Sequence, residues 1–87
     1  MEGNVGSAVP ELLVLEEEDP ARPALEAMLT VLPEAELRAL WSRTRLAAAK
    51  ARGTGDMARL FTLVRGTKTI QRIAGDRGIV IVARPGR

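Results

Sequence analysis

Residues 66–74 read Gly66-Thr67-Lys68-Thr69-Ile70-Gln71-Arg72-Ile73-Ala74, and the stretch admits two folds. Thr67, Thr69, Ile70 and Ile73 are β-branched and suit a strand, while Lys68, Gln71, Arg72 and Ala74 suit a helix. As helix, the stretch continues a segment starting near Asp56, in which Met57, Leu60, Phe61 and Val64 recur on one face. As strand, it turns at Gly75-Asp76-Arg77-Gly78 and returns through Ile79–Ala83, giving a β-hairpin over 67–83. The helix is the main reading, because 56–74 then matches the preceding helix in length and pairs with it as an antiparallel hairpin. The β-hairpin is the alternative.

That preceding helix spans about 34–52. Leu37, Leu40, Trp41, Thr44 and Ala48 form one stripe, Glu34 and Glu36 stand in the first turn, and Lys50 and Arg52 stand in the last. Acid at the start and base at the end both oppose the helix dipole favourably. Gly53-Thr54-Gly55 closes it. Upstream, a shorter helix over about 23–32 carries Leu25, Met28, Leu29 and Leu32 at i, i+3, i+4, i+7, with Pro23 in its first turn. Glu11-Leu12-Leu13-Val14-Leu15 reads as a short buried strand, ended by Glu16-Glu17-Glu18-Asp19 and Pro20. Ile79–Ala83 reads as a second strand. Residues 1–10 are small and polar and read as a flexible arm. The expected fold class is therefore α+β and mainly helical, with an N-terminal strand, three helices and a C-terminal strand, in a single small domain over 11–87.

Eighty-seven residues without cysteine or histidine exclude disulfides, thiolate metal sites and imidazole catalysis. A chain this short buries only about 60% of its unfolded surface. Oligomerisation is the staple left to it, so a homodimer is expected. The longest apolar run, Ile79–Ala83, is far below the roughly 20 residues a membrane span needs. The start, Met1-Glu2-Gly3-Asn4, lacks the basic region of a signal peptide, so a cytoplasmic or nuclear location is expected.

Charge is divided along the chain. Residues 1–37 hold nine of eleven carboxylates and one base, Arg22; residues 38–87 hold the other twelve bases and only Asp56 and Asp76. On the second helix Arg38, Arg45 and Arg52 recur every seven residues along one flank, and Arg43 and Lys50 along the other. Mostly small residues lie between them, with Leu46 the odd member. Arg59, Arg65, Lys68 and Arg72 add charge on the third helix. Cations about 10 Å apart along a helix suit successive phosphates, with affinity from counterion release. A solvated face neutralised by Glu16–Asp19 is the plainer reading.

Trp41 and Phe61 both fall on apolar stripes, so neither is expected to stack on bases, and a duplex is favoured over a single strand. Only Asn4 and Gln71 offer amide side chains for reading base edges, so sequence preference should be weak. A helix-turn-helix over 56–75 fits poorly, because Arg65, Thr67 and Arg72 stand where apolar residues belong. Glu16–Asp19 lack the alternating oxygens and turn glycine of a calcium loop, and Gly53-Thr54-Gly55 lacks the lysine and spacing of a phosphate loop. Ser7 and Ser42 have no histidine to activate them. No enzymatic activity and no cofactor are expected. The leading expectation is a small nucleic-acid-binding protein that contacts phosphates through the 38–72 basic face. Its size and lack of catalytic groups suit a regulatory protein, viral or phage proteins among them. The alternative is an adaptor or inhibitor that binds an acidic protein or adds the Ile79–Val82 strand to a partner's sheet.

Overall fold

The structure, a computed structural model, describes residues 9–81. It holds three helices, α1 (Arg22–Val31), α2 (Glu34–Thr54) and α3 (Met57–Asp76), and no strand among the described residues. The fold is all-helical, which corrects the expected α+β class and rules out the 67–83 β-hairpin. The two long helices, 21 and 20 residues, form the antiparallel hairpin. Gly55 makes the turn in the left-handed region at φ 81°, its N–H capping the carbonyls of Ala51 and Arg52. The Asp56 carboxylate then accepts the Arg59 N–H at 3.2 Å and opens α3.

The stretch 67–74 is helical because its β-branched residues serve burial on one face. Thr69, Ile70 and Ile73 are buried in the core with Ala74, while Lys68 and Arg72 stay in water. Tertiary burial outweighs a propensity difference of a few tenths of a kcal/mol per residue.

Glu11–Leu15 is extended, as its pattern demands, but its partner is a pair of helices and not a sheet. Leu13 and Leu15 are almost fully buried while Val14 points to solvent, the alternation of a strand. The segment lies as a strap along one groove of the α2/α3 hairpin. Leu13 N–H donates to Thr44 Oγ1 at 3.0 Å, and that hydroxyl donates on to the Leu40 carbonyl at 2.8 Å. Leu15 N–H donates to the Thr62 carbonyl at 3.2 Å. Gly66 makes this possible: it is buried inside α3, and a Cβ there would overlap the Leu13 carbonyl. A mid-helix glycine thus serves as the notch that admits the strap's backbone.

The strap leads through residues 16–21 to α1, which packs on the second half of α3. Leu13, Leu15, Leu29, Leu32, Leu37, Leu40, Trp41, Ile70, Ile73 and Ala74 form the main core, and Ala48, Ala51, Leu60 and Leu63 form a second cluster near the hairpin turn. The expected strand 79–83 is also corrected. Ile79 and Ile81 pack on the main core without strand pairing, Val80 is exposed, and residues 82–83 lie outside the described residues. Strand addition to a partner therefore loses its structural basis in residues 79–81. Of the expected arm, only Val9 and Pro10 are described; both are half-buried, and residues 1–8 lie outside the described residues. No described helix is long and apolar enough to cross a membrane.

Candidate nucleic-acid interface

Nine basic side chains were expected on one face, and the structure divides them into two sets. Four are engaged within the fold. Arg38 pairs with Glu34 one turn earlier at 2.8 Å, and Arg72 pairs with Glu26 of α1 at 2.8 Å. Arg43 donates from Nε to the Glu11 carbonyl at 2.7 Å and from Nη2 to the Pro10 carbonyl at 3.3 Å. Arg65 donates to the Leu15 carbonyl at 3.1 Å. Arg43 and Arg65 thus hold the two ends of the strap.

The other five, Arg45, Lys50, Arg52, Arg59 and Lys68, form no ion pair or side-chain hydrogen bond among the described residues. All five are exposed; Arg45, Lys50, Arg52 and Arg59 lie between the middle of the hairpin and its turn, and Lys68 lies just past the middle of α3. Asp56 is the one carboxylate in residues 43–68. The acids collect at the opposite end, where Glu26, Glu34, Glu36 and Asp76 lie on the helices.

Glu16–Asp19 do not neutralise this surface. Asp19 is spent locally: its two oxygens accept the backbone N–H of Glu16 at 3.1 Å and of Ala21 at 2.9 Å. These bonds, with Arg22 nearby, hold its carboxyl below the usual aspartate range. Glu16, Glu17 and Glu18 are exposed and pair with no base among the described residues.

The outer face of α2 has the expected relief. Arg45 and Arg52 stand on one flank and Lys50 on the other, with Ser42, Leu46, Ala49 and Gly53 exposed between them. Across the helix, Arg59 of α3 and Lys50 line a shared shallow surface with Ala47 and Thr54. On the Arg45 flank an open groove of about 440 Å³ separates α2 from α3, lined by Trp41, Arg45, Ala48, Arg52, Val64 and Thr67. The Arg45 guanidinium lies over the Trp41 ring, 5.4 Å from its centroid. Trp41 is buried as expected, but its Nε1–H meets no acceptor among the described residues.

Phe61 departs from expectation: it is 54% exposed on the outer side of α3, with Met57 and Val64 on the same side. Its spacing from Leu60 and Val64 did not separate core from rim, since a stripe at i, i+4, i+7 drifts around the axis of a 3.6-residue helix. The Trp41–Arg45 pair was the residue-level signal missed in the sequence: an i, i+4 aromatic–arginine pair at the border of the basic face. Comparison with protein families, with characterised proteins and with solved structures gave no match.

Proposed function

We propose that this protein binds nucleic acid by its phosphate backbone, through Arg45, Lys50, Arg52, Arg59 and Lys68. The observation that carries the reading is the sorting of cations. Arg38, Arg72 and Arg77, towards the acidic end of the hairpin, have partners in the fold, while Arg45, Lys50, Arg52 and Arg59 towards the turn, and Lys68 just past the middle of α3, have none among the described residues. Charges left unpaired on one side of a small domain raise its local potential and favour a polyanion over a single acidic group. Successive bases along α2 match a repeating phosphate chain, and their release of counterions supplies most of the affinity. The face has no amide side chain among its five cations and their small neighbours, which goes with weak sequence preference.

The protein would act where nucleic acid is found, in the cytoplasm or nucleus, and a second copy of the chain would double the number of phosphates reached. An acidic protein is the competing partner for the same cations. The deciding experiment titrates the full chain with duplex DNA, duplex RNA, single strands and an acidic polypeptide, at low and at physiological salt. Nucleic-acid binding that strengthens steeply as salt falls supports the reading. Absence of binding at low salt, where the electrostatic term is largest, removes it. Sedimentation at the same concentrations decides between monomer and dimer.

A further inference from the structure

Resting on the nucleic-acid reading, we propose that the open groove between α2 and α3 seats one unpaired nucleotide, its phosphate on Arg45 and Arg52 and its base against Ala48 and Val64. The hairpin has two grooves. One is filled by the strap, whose Leu13 carbonyl occupies the Gly66 notch. The other is the recess of about 440 Å³ lined by Trp41, Arg45, Ala48, Arg52, Val64 and Thr67. Its size falls within the roughly 300–1,000 Å³ of small-ligand sites.

Three observations fix the chemistry of what fits there. Arg45 and Arg52 on the rim have no carboxylate partner among the described residues, so the occupant carries negative charge. Trp41, 8% exposed, lines the groove with its ring under Arg45, and its buried indole N–H has no acceptor among the described residues. When Arg45 swings from the indole to a phosphate, the ring face it covers is opened. The third observation is apolar surface: Leu46, which lines the groove on α2, is 74% exposed, and Phe61, one turn before Val64 on α3, is 54% exposed. A duplex offers such a recess only phosphate and sugar. An unpaired nucleotide offers a flat face that covers apolar side chains, acceptors on its edge, and a phosphate for the arginines.

Trp41 is the one tryptophan and the chain has no tyrosine, so intrinsic fluorescence reports on this groove. The full chain is titrated at low salt with a perfect DNA duplex, the same duplex carrying one bulged nucleotide, a single strand of equal length, and polyglutamate. The bulged duplex and the single strand should bind about tenfold tighter than the perfect duplex, the worth of covering one base face with apolar side chains, and only they should change Trp41 emission. Thr67→Glu, which puts a carboxylate on the groove wall, should abolish both the preference and the emission change. Arg52→Ala, at an exposed position, should reduce the preference with the helical circular dichroism intact. Equal affinity for perfect and bulged duplexes with silent Trp41 overturns this inference and leaves the nucleic-acid reading standing. No binding of any nucleic acid overturns both. A Trp41 response to polyglutamate and not to the bulged duplex overturns the inference and assigns the groove to an acidic peptide.

Discussion

Replacing Gly66 by alanine sets two physical terms against each other, and the structure says which wins. On helix propensity alone, alanine in the middle of α3 should gain about 1 kcal/mol. The added methyl, however, overlaps the Leu13 carbonyl, and both sides of that clash are backbone that no rotamer change relieves. The strap has to lift. Two hydrogen bonds, Leu13 to Thr44 and Leu15 to Thr62, are then lost or stretched, at about 0.5–1.5 kcal/mol each. Leu13 and Leu15, 1% and 0% exposed, lose part of a burial worth about 1.5–3 kcal/mol apiece. If local shifts recover half of this, Gly66→Ala still destabilises by about 1–3.5 kcal/mol after the propensity gain. That is a large share of the roughly 4–13 kcal/mol of a domain this size. Urea denaturation followed by far-ultraviolet circular dichroism measures it, and a strap released before the helices also lowers the m-value. Gly53→Ala is the control. Gly53 lies in α2 with nothing near a Cβ, so this substitution should raise stability by about 0.5–1 kcal/mol. A Gly66→Ala midpoint equal to or above the parent's would refute the notch and the strap's place in the core.

Thr44→Val keeps the shape of the side chain but strips the acceptor from Leu13 N–H, so it should cost about 1–3 kcal/mol in the same denaturation assay. Arg43→Ala and Arg65→Ala, which release the strap's ends, should lower the melting temperature clearly, whereas Lys50→Ala should stay within about 0.5 kcal/mol of the parent. Asp19 is held below the normal aspartate range in the fold by its two backbone N–H donors. Its contribution is present above the unfolded pKa of about 3.9 and is lost as pH falls through the lower folded value. Asp19→Asn should therefore flatten the acid limb of a stability–pH curve below about pH 4 and leave its slope at neutral pH unchanged.

The hairpin was legible because its apolar spacing, its Gly-Asp turn and the dipole-matched ends of α2 all agree. The sheet was a misreading of two real patterns. Leu13 and Leu15 alternate with Val14 because the chain is extended, and extension alone does not say whether a strand or a helix groove lies opposite. Ile79 and Ile81 are half-buried because they pack on the main core, not because they pair. Gly66 opens the stretch that admitted either helix or strand, and the reason for it sits more than fifty residues away in Leu13. The basic face was legible as a face and not as a set of free charges. Arg43 and Arg65 are spaced like phosphate contacts, yet their acceptors are carbonyls of a segment that no helical periodicity could place beside them.

The salt dependence of nucleic-acid affinity tests the central claim most directly, measured by fluorescence anisotropy with a labelled DNA duplex over a range of salt concentrations. Five backbone contacts, from Arg45, Lys50, Arg52, Arg59 and Lys68, give a slope of about −4 to −5 in log K against log salt. Replacing Arg45, Lys50 and Arg52 with alanine together should reduce that slope by about 3, equally for unrelated sequences. Replacing Arg38 and Arg72, whose charges Glu34 and Glu26 already meet, should leave it close to the parent's. A slope near zero, or one that the Arg38 and Arg72 pair controls and the other three residues do not, would contradict the account.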